Sequence, residues 1–162
     1  MPDTKHIISF LMIVLAATGM LFCVLALVLN TWLDYGAFSS SLWKVCILGQ
    51  CEDFDAVIVA ANLGWLNAVR AFAFLGLFWM IITTVAAVLR TFLLKDKIII
   101  LYLIIGLSAV SGLCMMIAFA VYTNNTTHKY GAGFALCILA WILGWTVAGL
   151  GCFLLILNRN TS

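Results

Sequence analysis

Charged residues are scarce in this chain of 162 residues, where Asp, Glu, Lys and Arg together make up 9%. A typical soluble domain has about a quarter of such residues, and roughly half of its residues are apolar. Hydrophobic residues here reach 66%. This balance excludes an ordinary water-soluble domain and indicates a partner that is itself apolar, the lipid bilayer. The net charge of +2 and the lack of any basic run exclude a nucleic-acid partner.

Proline is nearly absent, since Pro2 is the single one. Without proline-rich stretches there is no composition typical of a linker between domains. We therefore expect residues 1–162 to form one membrane domain.

Reactive side chains are also missing from the apolar stretches, which contain no acid, histidine or lysine in their middle parts. Proton relays, ion pumps and coupled transporters need such groups within the membrane. The chain also has no paired-carboxylate site, no nucleophile beside a base, no glycine-rich phosphate loop and no metal-ligand cluster. We expect no enzyme activity, no cofactor and no metal.

What the chain does have is four long apolar stretches, at about 7–29, 71–89, 98–122 and 133–157. Each approaches or exceeds the roughly 20 residues that a helix needs to cross the hydrocarbon core. Because the short connections make successive helices antiparallel neighbours, the sequence predicts an all-α membrane protein built as a four-helix bundle.

The basic residues orient this bundle. With the N-terminus inside, five basic residues face the cytoplasm and three lie on or near the outer side. The inner ones are Lys5, Arg90, Lys95, Lys97 and Arg159, and the outer ones are Lys44, Arg70 and Lys129. The excess of inner positive charge predicts that both termini are cytoplasmic.

The first outer segment, about 30–67, is the longest polar part of the chain. Its β-branched and aromatic residues, interrupted by Gly36 and Gly49, predict two or three short antiparallel strands. So small a sheet is not stable alone. We expect it to rest on the outer ends of the helices, with Trp32 and Trp43 at the membrane interface. The second outer loop covers about 123–132.

Two cysteines stand close together in the stretch SSLWKVCILGQCEDFD of this segment. Cys46 and Cys51 face the oxidising side, where a hairpin disulfide would stabilise the sheet by roughly 2 kcal/mol through loop closure. Two cysteines can also ligate zinc, but zinc prefers four ligands and the segment offers no further histidine or cysteine. The disulfide is the prediction, and the other four cysteines are interpreted as packing residues of the helices.

Small side chains recur every four residues in the fourth helix, at Ala140, Gly144, Ala148 and Cys152. Such a face lets another backbone approach closely. It predicts a helix-packing face, either inside the bundle or between two copies of the chain, and the pattern does not separate the two.

Two polar groups on the outer side are further candidates. Glu52, Asp53 and Asp55 form an acidic cluster, interpreted either as a solvated turn or as an ion-selectivity or partner surface. Asn124 and Asn125 each begin an N-x-T sequon in TNNTTHK and are candidates for N-glycosylation, although the loop is short and close to the membrane.

A family resemblance rests on the order of residues in the first outer segment. A tryptophan, then L-W-x-x-C, then a second cysteine and an arginine at the start of helix two resemble the signature of the claudin and peripheral myelin protein 22 superfamily. Here these residues are Trp32, Leu42, Trp43, Cys46, Cys51 and Arg70.

Longer stretches extend the resemblance over nearly the whole chain. WLNAVRAFAFLGLF is similar to the helix-two entry of the lens fibre membrane intrinsic protein. GLCMMIAFAVYT and YGAGFALCILAW resemble the third and fourth helices of peripheral myelin protein 22 and the epithelial membrane proteins. The resemblance implies that Arg70 braces the outer sheet, for which Asp34 is a candidate partner.

Two departures qualify this resemblance. Ser41 stands where the family usually has glycine before Leu-Trp. The chain ends in NRNTS, which lacks the hydrophobic last residue of a PDZ-binding tail, so we expect no PDZ-domain partner.

The resemblance implies a plasma-membrane protein that organises cell–cell contacts and membrane structure through the outer sheet and through homo-oligomers in the membrane. Its binding partner would lie on an apposed cell or be a neighbouring membrane protein. Two alternatives stay open: a claudin-like paracellular barrier or ion pore at cell junctions, and an auxiliary subunit of a channel or receptor.

Overall fold

The computed structural model describes residues 2–34, 36–53, 64–94, 97–126 and 129–160, with side chains from Thr4 onward. Within these residues, four helices follow in chain order: α1 (Pro2–Val28), α2 (Gly64–Phe92), α3 (Ile98–Asn125) and α4 (Ala132–Arg159). All four are long and apolar enough to cross a membrane. No water in the bilayer core satisfies backbone N–H and C=O groups, so apolar runs of this length form helices. The predicted four-helix membrane fold is confirmed.

The second helix begins about two turns before the apolar stretch that it contains. That stretch starts at about residue 71, whereas α2 begins at Gly64 and already includes Asn67 and Arg70. Counting apolar residues finds only the part of a helix that lies in hydrocarbon, and α2 continues into the polar interface. The first outer segment therefore ends before Gly64.

Neighbouring helices close the bundle in a ring, in which α1 packs on α2 and α4, and α3 packs on the same two. Small residues mark the close approaches. The Ser111 hydroxyl of α3 donates to the Gly76 carbonyl of α2 at 2.7 Å. A Cβ atom added to Gly144 of α4 would lie 3.1 Å from the Gly112 Cα of α3. Backbones that approach this closely gain packing that lipid alone does not provide.

The small-residue face of α4 is used for this packing inside the bundle. Ala140, Gly144 and Ala148 are buried, whereas Cys152 is exposed. Because an α-helix has 3.6 residues per turn, a four-residue spacing drifts by about 40° at each step. After three steps the drift has turned Cys152 out of the interface, and Gly151 is the buried glycine there instead. Cys152 is therefore not part of the packing face inside the bundle.

The described outer residues form a four-stranded antiparallel sheet rather than the two or three strands that were predicted. Its order is β1 (Leu33–Asp34), β2 (Phe38–Ser40), β3 (Lys44–Ile47) and β4 (Gln50–Asp53). The strands have two to four residues, too few for a clear alternation in the sequence. A sheet this small is held by what it rests on.

The second outer loop continues the sheet beyond β1. Leu33 forms an antiparallel bridge with Tyr130, and the Asp34 N–H donates to the Lys129 carbonyl at 3.3 Å. The loop between α3 and α4 therefore covers this edge of the sheet.

Candidate interaction site on the outer sheet

The residues of the family signature meet where the sheet rests on the helices. Trp32 is fully buried, and its ring lies edge-on to Tyr122 of α3 at 4.8 Å and to Phe134 of α4 at 6.2 Å. Its indole N–H donates to the Ala26 carbonyl at 2.7 Å. The last four carbonyls of a helix have no partner within the helix. Trp32 therefore both fills the outer end of the bundle and caps the C-terminus of α1.

Trp43 caps the next carbonyl of the same helix end. Its indole N–H donates to the Leu27 carbonyl at 2.9 Å, and its ring lies 6.0 Å from Phe74 of α2. Two tryptophans from different parts of the first outer segment thus satisfy adjacent carbonyls of α1. The first outer segment is in this way tied to the end of the helix that precedes it.

Arg70 joins α2 to the Leu42-Trp43 segment. Its Nε–H donates to the Leu42 carbonyl at 2.8 Å, and its guanidinium lies 4.8 Å above the centre of the Trp43 ring. A planar guanidinium can donate hydrogen bonds and stack on an aromatic ring at the same time. The Asp34 carboxylate, the partner suggested from the sequence, accepts the Gly36 N–H at 3.0 Å, and its pairing with Arg70 stays a prediction.

Ser41 fills the position where the family usually has glycine. Its buried hydroxyl accepts the Lys44 N–H at 2.8 Å and the Trp43 N–H at 3.0 Å. Serine side chains commonly close a turn in this way. The departure from the family pattern therefore adds hydrogen bonds that glycine has no side chain to make.

Two glycines that the sequence analysis missed allow the sheet to approach α4. A Cβ atom on Gly133 would lie 2.8 Å from the Trp32 Cδ1 atom, and one on Gly131 would collide with the Thr31 carbonyl oxygen. Both lie in the segment YGAGF. A pair of glycines at a helix start is too common a pattern to identify Trp32 as the neighbour.

The disulfide joins directly opposed residues of β3 and β4. Cys46 and Cys51 are cross-strand partners and are bonded to each other. The two-residue turn between the strands holds Leu48 at φ +51° and Gly49 at φ +85°. Positive φ at both turn positions suits the right-handed twist of a hairpin and favours asparagine or glycine. Leucine is an unusual residue in that conformation.

The tip of this hairpin carries exposed apolar side chains. Leu48 is 83% exposed and Ile47 is 53% exposed. A groove of about 430 Å³ lies on the side of the hairpin that carries Val45 and Ile47. It is lined by Leu48 and Ile47 together with Val45, Gln50 and Glu52. The tip therefore combines the cost of strained backbone with that of an exposed apolar side chain.

The acidic residues do not share one surface. Glu52 pairs with buried Val45 on one side of the sheet, whereas Asp53 pairs with exposed Lys44 on the opposite side. The Lys44 ammonium lies 4.0 Å from the Asp53 carboxylate, an exposed ion pair. Asp55 lies outside the described residues.

Both sequon asparagines belong to the last turn of α3, which ends at Asn125 rather than at residue 122. Asn124 is exposed. The Asn125 side-chain amide donates to the Val121 carbonyl at 2.8 Å. Glycosylation of either residue stays a prediction.

Comparisons with known proteins agree with this geometry. Residues 4–156 match the PMP-22/EMP/MP20/Claudin family. Epithelial membrane protein 1 of Rattus norvegicus is 30% identical over 144 residues, which cover 84% of this chain and 87% of that protein. Epithelial membrane protein 1 of Mus musculus is 29% identical over 127 residues, which cover 77% of this chain and 76% of that protein. The chain, with its signature tryptophans and arginine joining a disulfide-closed sheet to four membrane helices, belongs to the PMP-22/EMP/MP20/Claudin family.

Proposed function

We propose that this protein is a non-enzymatic protein of the plasma membrane that organises cell–cell contacts through the tip of its outer hairpin. The observation that carries the proposal is Leu48, an 83% exposed leucine at positive φ. Both features oppose stability, because asparagine or glycine would fit the turn better and water would solvate a polar side chain better. Exposed apolar side chains on strained backbone reduce stability, and they are typical of residues that bind a partner.

The surroundings of the tip support a rigid contact element. The disulfide joins the two strands three residues or fewer from Leu48, and the sheet is tied to α1 and α2 through Trp43 and Arg70. A preorganised hairpin loses little conformational entropy when it binds. The partner would be a protein surface on an apposed cell or a second copy of this chain.

A claudin-like ion pore receives less support from the geometry. Acidic rings that select cations need carboxylates on one surface. Glu52 and Asp53 point to opposite sides of the sheet, and Asp53 is paired with Lys44. Lateral homo-oligomers remain part of the proposal, but Ala140, Gly144 and Ala148 are buried inside the bundle, so another surface would have to form them.

The test is a mixing assay with two differently labelled populations of non-adherent cells that express the protein. Leu48→Asn removes the apolar side chain but keeps a residue that tolerates positive φ. We expect normal surface delivery and loss of enrichment at contacts between expressing cells. Lys44→Gln, on the opposite side of the sheet, is the matched control and should leave enrichment unchanged.

A second variant separates the side chain from the hairpin that presents it. Cys46→Ser with Cys51→Ser removes the disulfide and should reduce enrichment in the molecules that still reach the surface. If the Leu48→Asn protein is enriched at contacts like the original chain, the hairpin tip is not the contact surface.

A further inference from the structure

The last buried residue of α2, at its cytoplasmic end, is an arginine, Arg90. The buried residues of this helix run from Leu66 through Met80, Thr83 and Ala87 to Arg90. Arg90 is only 7% exposed, and this burial is by the protein itself. Its position two residues before the end of α2 places it at the cytoplasmic mouth of the bundle.

The hydrogen-bond partner of this charge among the described residues is neutral. One terminal nitrogen of Arg90 donates to the Ser9 hydroxyl at 3.3 Å, and its Nε–H is buried without a hydrogen-bond partner. Among the described side chains, the carboxylates are those of Asp34, Glu52 and Asp53, all on the outer side. A buried guanidinium without a counter-charge is strongly unfavourable. The described residues therefore leave the positive charge of Arg90 without an anionic partner.

The level of Arg90 in the membrane indicates which anion can reach it. Lys97 and Arg159, at the same end of the bundle, are both exposed and mark the level of the cytoplasmic headgroups. The inner leaflet is rich in anionic phospholipids, and basic sites between membrane helices bind their headgroups. A guanidinium fork matches the oxygens of a phosphate, with two parallel hydrogen bonds.

We propose that Arg90 binds the phosphate of an anionic inner-leaflet lipid at the mouth between α1 and α2. The lipid phosphate supplies the counter-charge and accepts the terminal N–H groups that Ser9 does not. The site is separate from the outer sheet, so its occupancy does not depend on whether the hairpin tip forms cell contacts.

The experiment uses the full chain in nanodiscs of phosphatidylcholine. Short-chain phosphatidylinositol 4,5-bisphosphate is titrated in, and the melting temperature is followed by tryptophan fluorescence. We expect a saturable rise in melting temperature, with a half-saturating concentration that increases at least about tenfold in Arg90→Gln. Arg159→Gln removes an exposed arginine at the same end and should change that concentration by less than about twofold.

Arg90→Lys keeps the positive charge but removes the planar guanidinium that donates two parallel hydrogen bonds. This variant replaces Arg90→Gln in the test if the glutamine variant does not fold. We expect weakening between that of the original chain and that of Arg90→Gln. The proposal fails if Arg90→Gln and Arg90→Lys both bind the lipid as the original chain does, or if Arg159→Gln weakens binding as much as Arg90→Gln.

Two further arms test the source of the anion. Inorganic phosphate alone should not shift the melting temperature, and an equal shift would assign free phosphate as the ligand in place of the lipid. Asp3→Asn and Asp96→Asn remove the acids that the sequence places on the cytoplasmic side. If either lowers the melting temperature without lipid as much as Arg90→Gln does, the chain supplies its own counter-charge and the lipid proposal is overturned.

Discussion

At the scale of single residues, the family signature works through hydrogen bonds to main-chain carbonyls. Trp32 and Trp43 donate to Ala26 and Leu27 at the end of α1, and Arg70 donates to Leu42. Each tryptophan bond contributes about 0.5–1.5 kcal/mol and the bond from the charged Arg70 about 1.5–3 kcal/mol, and an unpaired buried carbonyl would cost about 1–3 kcal/mol. The signature residues therefore attach the sheet to the bundle.

The fit of Trp32 against α4 leads to a prediction for Gly133. A Cβ atom there would lie 2.8 Å from the Trp32 ring, which is fully buried between the helices and the sheet. We expect Gly133→Ala to lower the free energy of unfolding by about 1–3 kcal/mol. Thermal unfolding in mild detergent, followed by tryptophan fluorescence, measures this loss.

Gly149 provides the matched control in the same helix. A Cβ atom on Gly149 would meet nothing within 4 Å, so Gly149→Ala should be neutral or stabilise α4 by up to about 1 kcal/mol. Equal effects of the two alanine variants would mean that Trp32 does not pack closely on the start of α4.

At the scale of elements, α3 and α4 pack backbone to backbone over a short patch. A Cβ atom on Gly144 would lie 3.1 Å from three backbone atoms, those being Gly112 N, Gly112 Cα and the Ser108 carbonyl oxygen. Side chains can rotate away from a new methyl group, but backbone atoms of a packed helix cannot. This patch therefore sets the distance between the two helices.

Gly144→Ala should separate α3 from α4 and reduce the free energy of unfolding by about 1–3 kcal/mol. Gly106→Ala, a position of α3 where a Cβ atom meets nothing within 4 Å, should have no such effect. The melting temperatures of both variants are measured in the same detergent. A self-association face would give a different result, in which Gly144→Ala changes the oligomeric state and leaves the monomer's melting temperature as it was.

At the scale of the whole molecule, the charges divide between the two ends of the bundle. The outer end has Asp34, Glu52 and Asp53, and the cytoplasmic end has Lys97 and Arg159. An even number of spans puts both termini on one side, and the inner excess of basic residues makes that side the cytoplasm.

This orientation predicts which lysines react from outside the cell. Lys44 and Lys129 are exposed at the outer end, so a membrane-impermeant amine reagent should label them in intact cells. Lys44→Arg with Lys129→Arg should abolish that labelling, whereas Lys5 and Lys97 should react only after the membrane is permeabilised. The labelling is quantified by mass spectrometry. Labelling of the double variant in intact cells would show that the orientation is the opposite of the predicted one.

The sequence alone determined the properties that depend on composition and local order. Four apolar stretches must form helices because the bilayer leaves backbone groups no other partner. The spacing of Cys46 and Cys51 placed both on opposing strands, and the order of Trp32, Leu42, Trp43 and Arg70 identified the family. These features need no knowledge of which residues meet in space.

Only the tertiary structure decided which surfaces are used. The burial of Ala140, Gly144 and Ala148 depends on the position of α3, and the role of Gly133 depends on a tryptophan about a hundred residues earlier in the chain. The separation of Glu52 from Asp53 follows from the register of β4 on β3. Such contacts join distant parts of the chain, so they are set by the packing of whole elements and leave no pattern in local sequence.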